Sequence, residues 1–336
     1  MTRPWPAGAV TGIGSLPGDD PVEAARLVFG EFPELPFLPE LPNRGAGADM
    51  IGRTAALLVD LPVEIVPSGW RLTAHAGRDL RRARDFLSWD LDALESAAEG
   101  RTGPVKLQAA GPLTLAASLE LASGHRAISD LGAVRDLTQS LTDGLAAHVA
   151  ELRRRVPDAE PVLQLDEPSL PAVLTGEIPT PSGYGTVRAV ETTFAEQALR
   201  DVLAVVAAGS RVVHCCADDV PYAVLRNAEL AAISLDATRI GSAAYDALGE
   251  AVEAGTSLWL GILPSTDTPV SFDPARDRLR AIWTELGFPL DRLAEGVVPT
   301  PACGLAAASK AHVRSVLRVL RDLAKWLPEA GGGVES

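Results

Sequence analysis

The sequence predicts an α/β fold, a single (β/α)8 TIM barrel that spans residues 8–328. Short apolar runs recur along the chain and alternate with longer segments of helical periodicity, as in a parallel sheet covered by helices on both faces. Eight such runs in 336 residues favour one large barrel over two smaller domains. No linker or low-complexity block interrupts residues 8–328, and the tail 329–336 is expected to be disordered.

The eight apolar runs are the predicted strands of the barrel. Each is rich in aliphatic residues and is bounded by polar residues, glycine or proline. The second run is the least regular, because its prolines are unfavourable in a central strand. In chain order the runs are residues 9–14, 35–41, 105–111, 161–167, 211–217, 231–237, 257–263 and 296–302.

Capping signals and helical periodicity predict the clearest helices. Asp20 followed by Pro21 is typical of a helix N-terminus. Gly209 is a candidate C-cap for the helix that precedes the fifth run. The predicted helices cover residues 21–32, 131–155, 192–209 and 309–327, and residues 49–60 and 74–100 form a long excursion between the second and third strands.

Composition argues against several functional classes. The net charge is −14 and the longest basic run is residues 153–155, so a nucleic-acid partner is not expected. No apolar run approaches the ~20 residues that span a bilayer, and the first residues lack the pattern of a secretory signal. Three cysteines make a disulfide framework improbable, so we expect a cytoplasmic protein with no membrane partner.

Residues capable of chemistry follow the predicted strands at their carboxyl ends. In a barrel, these ends form the active-site face. The side chains come from distant parts of the chain and are therefore expected to meet. They are Gly14 at the end of the first run and Ser15 after it, Asp166 and Glu167 at the fourth, His214 and Cys216 at the fifth, Asp236 at the sixth and Cys303 after the eighth.

His214, Cys216, Asp236 and Cys303 predict a metal site. Side chains alternate along a strand, so His214 and Cys216 point the same way and Cys215 points away from them. One imidazole, two thiolates and one carboxylate form a ligand set that suits zinc. The alternatives are a buried strand whose cysteines act as small hydrophobic residues, and a helix-capping role for Asp236.

Asp166 and Glu167 have two interpretations. An acidic residue followed by Pro168 is a common helix start. However, Gln164 and Asp166 alternate to the same face, which would direct polar groups into the barrel mouth. A buried carboxylate there needs a partner, and a substrate ammonium group is one candidate. Ser15 is either a turn residue or a ligand contact that the neighbouring glycines make accessible.

Five motifs, in order, resemble the C-terminal catalytic barrel of cobalamin-independent methionine synthase. They are IGSLPG (13–18), QLDEPSL (164–170), HCC (214–216), ISLDATR (233–239) and TPACGL (300–305). The resemblance covers nearly the whole chain. It implies a zinc-dependent methyltransferase with His214, Cys216, Asp236 and Cys303 on zinc. It also implies that Ser15 and Asp166 hold an amino-acid thiol such as homocysteine, which is methylated as a zinc-bound thiolate to give methionine.

The chain departs from that family at positions that the resemblance assigns to the substrates. The family's substrate-binding glutamate would fall near Ala46, and its folate-facing tryptophan would fall near Ser118. The histidine that serves as an acid in the family would fall in residues 262–265, which contain no histidine. Asp236 replaces a glutamate, and the family's N-terminal barrel has no counterpart. We therefore expect the methyl donor to be a methylcorrinoid or another methylated compound rather than polyglutamyl folate, with a donor protein as a further partner.

Two other functions compete with this hypothesis. A barrel enzyme similar to uroporphyrinogen decarboxylase would not use the metal ligands and would need basic groups for a tetrapyrrole. A non-enzymatic protein that binds zinc or a thiol would not need the carboxylates Asp166 and Glu167, which we predict to be catalytic. The methyltransferase uses both sets of residues, and the sequence favours it.

Overall fold

The computed structural model describes residues 2–331, with a six-stranded parallel sheet at its centre. Neighbouring strands of this sheet follow one another in chain order. A separate antiparallel hairpin precedes it, at a place where the sequence predicts no strands. The hairpin consists of β1 (Val63–Val66) and β2 (Gly69–Leu72), and the sheet of β3 (Gly103–Ala110), β4 (Ala159–Asp166), β5 (Arg211–Cys215), β6 (Ala232–Asp236), β7 (Ser257–Leu263) and β8 (Val297–Pro301). Strands β3 to β8 coincide with the third to eighth predicted runs.

The first two runs do not form regular strands, so the prediction of eight strands is confirmed only for six. The second run touches β3 through an isolated parallel bridge between Phe37 and Lys106, and the first run touches the second through Ser15 and Glu40. Pro36 and Pro39 have no N–H to donate, which interrupts any ladder along the second run. Both runs nevertheless form hydrogen bonds with the sheet, the first run with β8 and the second with β3.

Twelve helices occur among residues 2–331. They are α1 (Pro21–Glu31), α2 (Met50–Leu57), α3 (Arg78–Ala97), α4 (Pro112–Ser118), α5 (Leu131–Arg155), α6 (Leu170–Thr175), α7 (Thr192–Leu203), α8 (Tyr222–Asn227), α9 (Tyr245–Glu253), α10 (Phe272–Glu285), α11 (Leu293–Gly296) and α12 (Lys310–Trp326). The predicted cap is confirmed, because the Asp20 carboxylate accepts hydrogen bonds from the N–H groups of Val22 and Glu23. None of these helices is both long and apolar enough to cross a membrane.

The expected end of one helix is wrong, and the expected disorder of the tail falls partly outside the described residues. Helix α7 ends at Leu203, so Gly209 is not its C-cap. Gly209 lies in a short 3-10 turn, where any Cβ would overlap the carbonyl oxygen of Thr2. This glycine allows the N-terminal segment to approach closely. Of the tail expected to be disordered, Glu329 ends a 3-10 turn and residues 332–336 lie outside the described part of the chain.

The inward face of the sheet changes from apolar to polar along the strands. Near the start of the strands, an apolar cluster separate from the main core surrounds Trp259, with the ring of Trp5 edge-on at 5.2 Å. The strand residues in this cluster are Val162, Val212, Ala232, Trp259 and Val298. Two residues further on, the same face carries Gln164, His214, Ser234 and Thr300, all buried. Polar side chains therefore accumulate towards the carboxyl ends.

Candidate functional site

His214, Cys216 and Cys303 meet at the carboxyl end of the sheet. The potential ligand atoms of these residues all lie within 4.8 Å of one another, and the two sulfur atoms are 3.5 Å apart. His214 is in β5, Cys216 directly follows this strand, and Cys303 follows β8. The structure thus brings together three of the four predicted metal ligands from segments 87 residues apart in the chain.

The imidazole of His214 is oriented by Ser234 on the neighbouring strand. Its Nδ1 lies 2.9 Å from the Ser234 hydroxyl, whereas its buried Nε2 has no hydrogen-bond partner among the described residues. A hydrogen bond at one ring nitrogen is typical of histidines that bind a metal through the other nitrogen. Sequence reasoning missed Ser234, although its position two residues before Asp236 places it on the inward face of β6.

These three residues fit zinc in donor chemistry and in protonation. The pKa of Cys303 is lowered to about 4, chiefly by the hydrogen bond with the Cys216 thiol and also by His214. The same bond and burial raise the pKa of Cys216. The pair therefore loses its first proton readily, and a bound cation would remove the second. Cys215 is fully buried, and burial raises the pKa of its thiol to about 11, as expected for a side chain on the opposite face.

Asp236 lies outside this group of three in the structure. Its Oδ1 accepts hydrogen bonds from the N–H and hydroxyl groups of Thr238, and its Oδ2 is 3.3 Å from Nε of Arg239. This is the capping role that the sequence left open as the alternative. The assignment of Asp236 as a metal ligand stays a prediction, and it requires the carboxylate to leave Arg239.

Asp166 lies beside His214, and Ser15 lies beside the turn that carries Cys303. Asp166 pairs with His214 in the register of β4 and β5. Its pKa is raised to about 7, chiefly by burial, although His214 opposes the shift. Ser15 touches the turn that carries Cys303: Leu305 donates a hydrogen bond to its carbonyl oxygen, and a Cβ on Gly304 would overlap its hydroxyl. The structure places these two residues near the site, and their roles stay predictions.

Gly14 allows a close approach that any side chain would prevent. A Cβ at this position would lie 2.8 Å from Nε2 of Gln108 and 3.3 Å from the carboxyl carbon of Glu40. Gln108 and Glu40 are both buried, and Oε1 of Gln108 has no partner among the described residues. The space beside Gly14 is thus lined by the Gln108 amide and the Glu40 carboxyl group.

Glu167 faces away from Asp166 and holds the start of helix α4. Its carboxylate accepts hydrogen bonds from the N–H of Leu113 at 2.9 Å and from the N–H and hydroxyl of Thr114 at 2.8 and 2.7 Å. Glu167 is fully buried, and burial raises its pKa to about 7 against the effect of these donors. The arrangement favours a structural role, and the catalytic role predicted for Glu167 stays untested.

A buried charged network below the site was missed by the sequence interpretation. Lys106 is fully buried, and its Nζ donates to Oε1 of Gln164 and to the carbonyl oxygen of Ile13, each at 2.6 Å. Burial lowers the pKa of Lys106 to about 7, although Asp166 and Glu40 act to raise it. The signal was present in the third run, VKLQAAG, where Lys106 and Gln108 are polar residues in alternation.

A family model identifies the family of the chain, and a solved structure shares its fold. The family model described as the catalytic domain of cobalamin-independent synthase matches residues 8–326. A solved B12-independent methionine synthase from Shewanella sp. W3-18-1, in complex with selenomethionine, is similar over 96% of this chain and 98% of its own, with 14% identity and a TM-score of 0.63. A GH5_18 structure from Streptomyces cattleya with GlcNAc covers 100% of this chain and 82% of its own at 14% identity, with a TM-score of 0.48. No curated protein matches the chain.

Proposed function

We propose that this chain, which belongs to the cobalamin-independent synthase catalytic-domain family, transfers a methyl group to the thiol of homocysteine and forms methionine. Membership of the family supports a methyltransferase similar to methionine synthase. The observation that carries the proposal is the meeting of His214, Cys216 and Cys303, with a buried imidazole nitrogen that has no partner among the described residues. A tetrapyrrole enzyme would have no use for this group.

In this proposal His214, Cys216 and Cys303 hold zinc, and Asp236 joins them after it leaves Arg239. Zinc, when bound, lowers the pKa of a coordinating thiol so that the acceptor sulfur is ionised at neutral pH. Ser234 keeps the imidazole in one orientation. Cys215 takes no part, because it faces the helical layer.

The remaining residues of the site would hold the amino-acid part of the acceptor. Asp166, Glu40 and Oε1 of Gln108, which has no partner among the described residues, would supply acceptors for an ammonium group. An ammonium ion would stabilise the charged form of these two carboxylates, which burial has desolvated. Ser15, supported by Gly14, would bind the carboxylate of the substrate. A substrate fixed at both groups would present its sulfur to the metal in one orientation.

We further infer that the first two runs complete the wall of a distorted eight-stranded barrel. Thr11 donates a hydrogen bond to the carbonyl oxygen of Pro299 in β8, and Leu38 donates to that of Lys106 in β3. The two runs also contact each other through Ser15 and Glu40. These contacts would join the two edges of the parallel sheet around the site.

The metal part of the proposal predicts about one zinc ion per chain. Replacing Cys303 with Ser removes a sulfur ligand, so the variant should lose most of its zinc, whereas Cys215→Ser, on the opposite face, should keep it. Metal analysis of the purified proteins tests this. Wild type and Cys303→Ser with equally little zinc would contradict the metal site.

The methyl donor is best identified by a direct screen with homocysteine as acceptor. Methylcobalamin, methyltetrahydrofolate and methylated sulfonium compounds are supplied separately, and methionine is measured. We expect turnover with the corrinoid or the sulfonium compounds and little with the folate, because the folate-facing positions differ. Turnover with methyltetrahydrofolate alone would overturn the donor assignment and keep the acceptor.

A further inference from the structure

We propose that Lys106 is a positioning residue that aligns both sides of the amino-acid site, an inference that rests on the proposed function. Lys106 does not touch the sulfur ligands. It lies inside the curled sheet on β3, fully buried, with its ammonium group below Asp166 and the first run. Its effect on a substrate would therefore pass through the groups to which it donates.

The hydrogen bonds of Lys106 impose one orientation on the amide of Gln164. An ammonium group can only donate, so the atom of Gln164 that faces it has to be the oxygen. Nε2 of Gln164 is then turned towards Asp166, where it donates to Oδ1 at 2.7 Å. The carboxylate of Asp166 is held by an amide whose direction is set by Lys106.

The same ammonium group also holds the first run. It donates to the carbonyl oxygen of Ile13, which also accepts a hydrogen bond from Nε2 of Gln164 at 3.0 Å. Ile13 directly precedes Gly14 and Ser15, the residues proposed to bind the substrate carboxylate. One buried cation thus connects the segment that binds the carboxylate with the side chain that binds the ammonium group.

The environment of Lys106 leaves little freedom for this arrangement. Its Nζ lies 5.0 Å from the ring centre of Phe37 and 6.0 Å from that of Trp259, so aromatic rings lie close to the ammonium group in addition to its two acceptors. Asp166 and Glu40 are close enough for their charges to favour the protonated lysine. Replacement of Lys106 by a neutral side chain would free the Gln164 amide to rotate and would remove one positive charge from beside these carboxylates.

The test compares two thiols in variants of Lys106 and Gln164. Calorimetry measures the binding of homocysteine and of propanethiol, which lacks the amino and carboxyl groups, to zinc-loaded wild type, Lys106→Met, Gln164→Leu and the double variant. Zinc content is measured on the same samples. The exposed Lys310→Met serves as the matched control.

We expect Lys106→Met to raise the Kd for homocysteine at least about tenfold, the effect of losing one charged hydrogen bond, with propanethiol binding and zinc content unchanged. Gln164→Leu should weaken homocysteine similarly, and the double variant should lose less than the product of the two effects, because the residues act in series. Lys310→Met should bind both thiols like wild type.

Homocysteine binding unchanged in Lys106→Met, or equal losses for both thiols, would overturn the inference and leave the proposed function in place. If Lys106→Met does not fold, Gln164→Leu decides, since it keeps the lysine and its hydrogen bond to Ile13 and removes the connection to Asp166 that passes through the amide. Wild type that holds zinc and does not bind homocysteine would overturn the proposed function together with this inference.

Discussion

Asp166 and Glu167 show how one residue of displacement separates two kinds of carboxylate. Alternation at the end of β4 turns Asp166 towards His214 and Gln164, and Glu167 towards the first turn of α4. Helix α4 has Gly111 at its N-cap, and glycine offers no side chain to cap the helix. Glu167, which directly follows β4, supplies the acceptors instead. Gly111 also leaves room for this, because a Cβ there would overlap the Glu167 carboxylate.

This geometry predicts that Glu167→Gln destabilises the fold. Both carboxylate oxygens accept from Leu113 and Thr114, and an amide would place its NH2 group against one of these donors. An unsatisfied buried pair of this kind costs about 1–3 kcal/mol, which denaturant unfolding at pH 8 would measure. Glu160→Gln, exposed on the same strand, is the control and should stay within about 0.5 kcal/mol of wild type. A fully stable Glu167→Gln without methyl transfer would instead support a catalytic role.

Among the helices, α5 makes one especially close contact with α2. Gly144 lies in the buried face of α5, and a Cβ there would overlap the carbonyl oxygen of Leu57, the last residue of α2. The obstacle is backbone, which has no rotamer by which to move aside. The glycine therefore sets how closely the two helices pack, and α2 in turn carries Thr54, whose hydroxyl accepts a hydrogen bond from the N–H of Ala110 in β3.

Two helical glycines provide a matched test of this contact. Gly144→Ala should destabilise the protein by about 1–3 kcal/mol, because the helices must separate. Gly249→Ala in α9 meets its nearest neighbour, the carbonyl oxygen of Leu286, at 3.9 Å, so it should stabilise the protein by up to about 1 kcal/mol through helix propensity alone. Denaturant unfolding of both variants checks the difference in sign. Equal effects of the two substitutions would show that the α2–α5 contact adapts freely.

The elements that the sequence predicted well are those whose determinants are local. The third to eighth apolar runs became β3 to β8, and the periodicity of residues 131–155 became α5 without change of boundary. The run at 35–41 failed as a strand because Pro36 and Pro39 interrupt its hydrogen bonds. Hairpin β1–β2 escaped prediction because it is short and its Ile65 is exposed rather than buried.

The candidate site divides in the same way. His214, Cys216 and Cys303 could be placed together because each lies at or just after the carboxyl end of a strand, and parallel strands end on one face. Glu40 and Lys106 could not, because their proximity depends on how the irregular first two runs curve against β3. Asp236 was ambiguous for a further reason: a carboxylate at a strand end suits a metal and a helix cap equally well, and only its contact with Thr238 distinguishes the two.

At the scale of the whole molecule, one histidine couples folding to pH independently of the site. His148 on α5 is buried, and its pKa is lowered from 6.5 to about 4, chiefly by burial and also by the nearby Arg53. Arg53 belongs to a buried ion-pair cluster with Asp90 and Arg44, so positive charge already lies on that side of the imidazole. A protonated His148 would be both desolvated and repelled.

Because the folded-state pKa of His148 is depressed, the unfolded chain binds its proton first as the pH falls. The stabilising contribution of the neutral imidazole is complete above pH 6.5 and is lost as the pH falls towards 4, by about 2 kcal/mol between pH 7.5 and 5.

The raised pKa values of Asp166 and Glu167 act in the opposite direction over part of this range, so the wild-type curve alone does not isolate His148. The difference in unfolding free energy between wild type and His148→Gln does, and it should decrease by this amount as the pH is lowered. His125→Gln, at an exposed position, should give a curve parallel to wild type. A parallel curve for His148→Gln would mean that the imidazole is protonated or hydrated within the fold, and that the packing of α5 against α2 admits water.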